Sequence, residues 1–132
     1  FRSFEAFGFK NIIIAETNLD IYNPIIIRSS LGAVFKLNIF KLTFPQIKTL
    51  LKKEKFKIIS SDVDAKIPHT KTNFKEKIAL VMGPEKSKVS DDFKKISNAV
   101  VGIPMYGDVD SLNLSVATSI ILSESVNQRK IS

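Results

Sequence analysis

The chain has 132 residues, no cysteine and a formal net charge of +7 at pH 7. This length is enough for one domain with its own core, and the absence of cysteine excludes disulfides and thiolate chemistry. Hydrophobic residues make up 44% and charged residues 25%, which excludes a disordered chain, and no apolar run is long enough to span a membrane. The positive charge favours a polyanionic partner, although a lysine-rich composition alone would look the same.

Helices and strands are predicted to alternate along the chain. Short β-branched runs predict strands, whereas apolar residues at helical spacing predict helices. In chain order the predicted elements are a helix over Ser3–Phe7, a strand over Lys10–Ala15, a helix over Ile25–Phe35, a strand over Leu37–Leu42, a helix over Phe44–Lys53, strands over Phe56–Ser60 and Lys77–Met82, a helix starting at Ser90, a strand over Ala99–Ile103 and a helix over Leu112–Val126. The polar stretch Asp62–Lys77 predicts a loop with at most a short strand, and Asn127–Ser132 predicts a frayed tail.

This alternation predicts an α/β fold with an open, mostly parallel sheet. Ligands of such sheets bind in crevices beyond the carboxyl ends of the strands. The segments that follow predicted strands are Ser60–Asp62, Gly83–Glu85 and Ile103–Gly107, and these are the places to look for chemistry. No internal repeat or linker is visible, so residues 1–132 are predicted to form a single domain.

Several common active-site signatures are absent from the sequence. There is no GxGxxG after a strand, no GxxxxGK[ST] and no nucleophile elbow around a serine. His69 is the only histidine and has no cysteine near it, so we expect no metal site and interpret His69 as a loop residue. Dinucleotide-binding domains, P-loop proteins, hydrolases and metalloenzymes are therefore poorly supported.

Gly83 and Glu85 form the first candidate site. A glycine at a strand end permits close approach of a ligand to the backbone, and Glu85 could bind a hydroxyl group or an arginine. The simpler interpretation is an ordinary turn with a solvated acid.

The start of the last helix is the second candidate site. Ser111 or Asn113 could cap this helix, whose free N–H groups suit a carboxylate or a phosphate. The residues alone are equally compatible with a capped terminal helix that binds no ligand.

Four segments together resemble the SpoU family of RNA methyltransferases, in the SPOUT superfamily. Ile103–Met105 followed by Ser111–Ala117 is similar to the third signature motif of that family, Leu80–Ser90 to the second, and Arg2–Gly8 to the end of the first. Asn23–Ala33 resembles a further recurrent stretch. The similarity runs along the whole chain in the expected order.

The resemblance implies a fold and an assembly that the sequence pattern alone does not predict. Helices lie on both faces of the sheet in relatives, the C-terminal segment forms a trefoil knot, and the proteins are cytoplasmic homodimers. The family's first strand and the start of its first motif precede Arg2, so residues 1–132 do not include them. Lys86 and Lys88 stand where relatives usually carry glycines, and we expect a more basic and less flexible loop there.

The resemblance also implies an activity: transfer of a methyl group from S-adenosylmethionine to a ribose 2′-hydroxyl of tRNA or rRNA. In this interpretation Arg2 binds an RNA phosphate and stabilises oxyanion charge, Glu85 orients Arg2 or the ribose, and Asn113 and Ser111 hold the loop and the hydroxyl. The residues expected to bind the cofactor are Ser60, Gly83, Ile103, Pro104, Met105, Leu112, Asn113 and Ser115. The alternative is a non-catalytic RNA-binding protein on the same knotted scaffold.

Overall fold

The computed structural model describes residues 1–15, 18–84 and 87–130. The chain divides into two compact units, Phe1–Leu50 and Leu51–Ser132. The division lies within a helix, α3 (Phe44–Lys53), whose bounds are those predicted from the sequence. Organisation as a single domain stays a prediction.

The first unit contains one parallel pair of strands. Its elements are α1 (Arg2–Ala6), β1 (Asn11–Ala15), α2 (Pro24–Ser29), a 3₁₀ turn (Ala33–Lys36) and β2 (Asn38–Leu42). β1 and β2 pair in register from Asn11 opposite Asn38. α2 begins as predicted, because Pro24 occupies its first turn and the Asn23 side chain accepts a hydrogen bond from the backbone N–H of Ile25.

The predicted helix over Ile25–Phe35 is wrong in its second half. α2 ends at Ser29, and Leu31 and Gly32 follow with φ of 50° and 73°. The backbone N–H of Gly32 donates to the carbonyl of Ile27, which closes the last turn of the helix. The apolar spacing continues beyond this point because Ala33 and Val34 are buried in the 3₁₀ turn, not because the helix continues.

The second unit is a four-stranded parallel sheet with two helices. Its elements are β3 (Lys57–Ser61), β4 (Ile67–Pro68), a 3₁₀ turn (His69–Lys71), β5 (Ile78–Val81), α4 (Asp91–Ile96), β6 (Ala99–Gly102) and α5 (Leu114–Lys130). The strand order is β4-β6-β3-β5, and every pair is parallel. Ile59, Phe74, Val101 and Ile121 form its buried core. The predicted α/β class and parallel pairing are confirmed, with the strand pairs lying in two sheets, one in each unit.

The predicted frayed tail is wrong over the part that the structure describes. α5 continues to Lys130, beyond the expected end at Val126. The side chain of Gln128 accepts a hydrogen bond from the N–H of Phe74 and donates one to the carbonyl of Thr72, and Arg129 donates to the carbonyl of Phe74. These hydrogen bonds hold the last turn in place, so its polar composition reflects anchoring to the 72–74 backbone.

Two helix starts differ from the prediction in detail. Ser90 occupies the N-cap of α4, but its side chain makes no capping hydrogen bond, contrary to expectation. α5 begins at Leu114, two residues later than predicted, because Asn113 provides its cap.

Candidate cofactor-binding site

The parallel sheet of the second unit brings several strand ends to one edge. β3, β4, β5 and β6 all run in the same direction. Their carboxyl ends therefore share an edge, where ligands of open α/β sheets bind. The segments that leave this edge include 62–66 after β3 and 103–107 after β6.

A cavity of about 370 Å³ opens at this edge. Its size falls within the range of about 300–1,000 Å³ that is typical of small-molecule sites. Its lining residues are Val63, Ala65, Lys66, Pro68, Gly102, Ile103, Pro104 and Met105. Three of the predicted cofactor-binding residues, Ile103, Pro104 and Met105, thus lie together on one side of the cavity.

The opposite side of the cavity was missed from the sequence. Val63, Ala65, Lys66 and Pro68 belong to a stretch that was predicted to be a loop because of its polar composition. The signal that could have identified these residues was their position directly after a predicted strand. Ser60–Asp62 was recognised as a strand end, and the residues that follow a parallel strand continue along the same edge of the sheet.

Gly102 allows the two sides to meet. A Cβ built on Gly102 would lie 3.0 Å from the carbonyl oxygens of Asp62 and Ala65. Any larger residue would push the 62–66 segment away from the end of β6, since both contacts are with backbone atoms. Glycine is therefore favoured here, where two backbone segments pack closely.

Asp62 fixes the first turn of the 62–66 segment. Its N–H donates to the carbonyl of Val101 at 2.9 Å, and its buried carboxylate accepts from the N–H of Asp64 at 3.0 Å and forms an ion pair with Lys94 of α4. Burial alone would raise the pKa of Asp62, but these hydrogen bonds and the charges of Lys94 and Lys88 lower its pKa below the ordinary value. Asp62 is therefore an ionised, structurally engaged carboxylate.

A second ion pair joins the same segment to the residues that follow β5. Lys88 pairs with Asp64, and this hydrogen bond and charge raise the pKa of Lys88. Residues 87–89 fold back against Gly83, where an added Cβ would lie 2.8 Å from the backbone nitrogen of Val89. Gly83 therefore permits close approach of its own loop, and its predicted contact with a cofactor stays a prediction.

The Ser60 side chain faces the core. Ser60 is fully buried, and its hydroxyl lies 2.6 Å from that of Ser97, which in turn donates to the carbonyl of Phe93. Its hydroxyl group is thus used to connect β3 to the end of α4, and a role in cofactor binding stays a prediction.

The start of α5 has the cap that the sequence predicted. Oδ1 of Asn113 accepts hydrogen bonds from the N–H of Ser115 at 2.9 Å and from its hydroxyl at 2.6 Å. Capping by Asn113 is confirmed, and it is the Asn113 side chain rather than that of Ser111 that receives the first free N–H. The cofactor roles of Leu112, Asn113 and Ser115, and the catalytic role of Ser111, remain predictions.

The remaining candidates cannot be placed in this site. Arg2 is an exposed residue at the start of α1 in the first unit. Glu85 lies outside the described residues. Their proposed catalytic roles stay predictions.

His69 is buried, although the sequence suggested a loop residue. It lies in the 3₁₀ turn after β4, and its Nδ1 has no hydrogen-bond partner among the residues that the structure describes. Within those residues, no group of three or more histidine, cysteine or acidic side chains could hold a metal ion. None of the described helices is both long enough and apolar enough to cross a membrane.

A parallel α/β sheet with a cavity at its carboxyl edge is typical of ligand-binding α/β proteins. Comparison of the sequence identifies the family within this class. Residues 1–123 match the SpoU rRNA Methylase family, and the chain belongs to that family. The predicted family membership is confirmed. The trefoil knot that the resemblance implies stays a prediction.

Individual relatives agree with this assignment. The chain is 28% identical to a 23S rRNA uridine 2′-O-methyltransferase of Streptomyces viridochromogenes over 97% of its own length and 47% of that protein. It is 29% identical to a 23S rRNA guanosine-2′-O-methyltransferase of Escherichia coli over 97% of its length and 53% of that protein. The chain therefore spans about half the length of these relatives.

Solved structures show the same fold. The crystal structure of a SpoU methyltransferase from Streptomyces viridochromogenes in complex with the cofactor AdoMet superimposes with a TM-score of 0.92 at 26% identity. That match covers 99% of this chain and 54% of the other.

Proposed function

We propose that this chain forms the cofactor-binding part of an S-adenosylmethionine-dependent RNA ribose 2′-O-methyltransferase. The observation that carries the proposal is the cavity at the carboxyl edge, which is lined by Ile103, Pro104 and Met105 of the third signature motif. Family membership and the AdoMet complex of a relative support the same ligand.

The residues at the cavity fit such a cofactor. The main chain of residues 104–107 forms no hydrogen bond with the backbone of another described residue, and we assign its polar groups to an adenine. Recognition by backbone groups requires little side-chain signature, which is consistent with the absence of a nucleotide-binding motif. Ile103 and Met105 supply apolar contacts to the same ligand.

When bound, S-adenosylmethionine supplies an electrophilic methyl group on its sulfonium sulfur. The ribose 2′-hydroxyl is a poor nucleophile, so it requires orientation and loss of its proton. The guanidinium of Arg2 has only donors and cannot accept that proton, which passes to solvent water as the methyl–sulfur bond breaks and the methyl–oxygen bond forms. We assign Arg2 to binding an RNA phosphate and to stabilising charge on the 2′-oxygen. Glu85 orients Arg2 or the ribose, and Asn113 and Ser111 hold the loop and the 2′-hydroxyl.

The proposed substrate is tRNA or rRNA, and the proposed assembly is a cytoplasmic homodimer. The net charge of +7 supports an RNA partner, because lysines and arginines that neutralise phosphates release counterions. Named relatives act on 23S rRNA. Light scattering at micromolar concentration should give the mass of a dimer, and a monomer mass would overturn this assembly.

A methyl-transfer assay tests the activity. The full-length protein is incubated with tritium-labelled S-adenosylmethionine and total RNA, and the labelled RNA is then treated with alkali. We expect label in RNA, at a linkage that resists alkaline cleavage because the 2′-oxygen is blocked. Measurable cofactor binding without transfer to any RNA would overturn the enzymatic proposal in favour of a non-catalytic RNA-binding protein.

Replacement of Arg2 tests its assigned role. Arg2→Ala should lower the transfer rate by a factor of about 100 or more, the effect expected for loss of a charge-stabilising group. Its affinity for the cofactor should remain within about twofold. Lys10→Ala, which removes another exposed cation near α1, serves as the control and should transfer at the wild-type rate. A wild-type rate in Arg2→Ala would remove Arg2 from the mechanism.

A further inference from the structure

Side chains alternate in their contacts along residues 62–65. Val63 and Ala65 line the cavity, whereas Asp62 and Asp64 form ion pairs with Lys94 and Lys88. One set of side chains in this short segment therefore forms a wall of the cavity. The other set binds the segment to α4 and to the residues after β5.

We propose that Lys94 and Lys88 are positioning residues for the cofactor, which act through Asp62 and Asp64 to hold the 62–66 segment in the shape of the cavity wall. The proposal rests on the function proposed above, because it assumes that S-adenosylmethionine occupies this cavity. Neither lysine lines the cavity itself, so each acts through an aspartate rather than by contact with the ligand.

The Lys94–Asp62 pair provides most of the constraint. The Asp62 side chain is 4% exposed and that of Lys94 is 28% exposed. The backbone of Asp62 also donates to Val101 and accepts from Ala65, so movement of its carboxylate would displace both sides of the cavity wall. An ion pair that is largely withdrawn from water leaves an uncompensated charge when one partner is removed, which makes its loss costly.

The Lys88–Asp64 pair is the weaker of the two. Its side chains are 55% and 69% exposed, and exposed ion pairs contribute little. It nevertheless joins the 62–66 segment to residues 87–89, which rest against Gly83.

Lys94→Met provides the first test. Calorimetric titration of the full-length protein with S-adenosylmethionine should show a dissociation constant raised about tenfold, which corresponds to about 1.4 kcal/mol. In transfer assays the KM for the cofactor should rise similarly, while kcat at saturating cofactor stays at the wild-type value. Lys95→Met is the matched control, since Lys95 is the next residue of α4 and is exposed. It should bind with wild-type affinity.

Charge reversal of the exposed pair provides a second test that puts folding less at risk. Asp64→Lys and Lys88→Asp should each raise the dissociation constant about threefold to fivefold, in line with exposed ion pairs. The double variant Asp64→Lys/Lys88→Asp should return it to within about twofold of wild type. Thermal unfolding of all variants separates this effect from general destabilisation, since a positioning role changes the dissociation constant while the midpoint stays near the wild-type value.

The outcomes separate this inference from the proposed function. If wild-type protein does not bind S-adenosylmethionine, the proposed function fails and the positioning role fails with it. If wild-type protein binds and transfers, but Lys94→Met binds equally well or the double reversal rescues nothing, only the positioning role is overturned.

Discussion

The two sides of the cavity are built in opposite ways. The 62–66 segment is fixed by two ion pairs, by a turn closed on the Asp62 carboxylate and by contact with Gly102. Residues 104–107 form no backbone hydrogen bond with another described residue, and Tyr106 is 96% exposed. One side is therefore held by polar contacts of its own, whereas the 104–107 backbone of the other side makes none.

The two sides of the site therefore differ in how much of their order exists before a ligand binds. A preformed wall costs no ordering entropy when a ligand binds, whereas a segment without internal bonds loses conformational freedom at that moment. We expect the 104–107 segment to gain protection from hydrogen exchange on cofactor binding. The 62–66 segment should already be protected in the free protein.

The largest expected effect is that of Gly102→Ala. An added Cβ would lie 3.0 Å from two carbonyl oxygens, and relief of such a clash requires backbone movement that typically costs about 1–3 kcal/mol. Urea unfolding should show this loss of stability. Gly107→Ala is the matched control in the other segment, because no atom lies within 4 Å of its added Cβ, and it should change stability by less than about 0.5 kcal/mol. Equal effects of the two would remove the distinction between the two sides.

A smaller effect is expected from acid. The pKa of Asp62 in the folded protein lies below its unfolded value, which is about 3.9. The stabilisation from its ionised form is fully present above the unfolded value, and it is lost as the pH falls through the folded value. Unfolding midpoints measured between about pH 5 and pH 2 should therefore fall less steeply in Asp62→Asn than in wild type. Identical slopes would show that the Asp62 carboxylate does not stabilise the wall.

The smallest effect is expected for Tyr106→Ala. Tyr106 is 96% exposed, so its removal should change the free energy of unfolding by less than about 0.5 kcal/mol. Chemical denaturation measures this directly. A loss of several kcal/mol would mean that the 103–107 segment is packed rather than adaptable.

The sequence predicted the parts of the fold that depend on local patterns. Each predicted strand lies within about two residues of its observed bounds, and the parallel pairing followed from the alternation of helices and strands. Capping by Asn113 was predictable because the cap involves residues two positions apart. Ile103–Met105 was placed at the cavity because it follows a strand directly.

The parts that depend on distant residues could not be predicted in this way. The 62–66 segment is polar, and its shape is set by Lys94 and Lys88, which lie well beyond it in the chain. The composition of the 127–130 segment is that of a solvated tail. Only the structure shows that the Gln128 side chain forms hydrogen bonds with the backbone of Thr72 and Phe74. The interruption at Leu31 and Gly32 was hidden because the buried residues after it continue the helical spacing by chance.

The hydrogen bonds of Gln128 also have a consequence for the order of folding. Its side-chain amide forms hydrogen bonds with the carbonyl of Thr72 and the N–H of Phe74, which precede it by 56 and 54 residues. Contacts across such separations form late, because the intervening chain must first be ordered. During synthesis, the core residue Phe74 emerges long before the side chain that binds its N–H. The backbone groups of Thr72 and Phe74 can therefore gain these hydrogen bonds only after α5 has been translated.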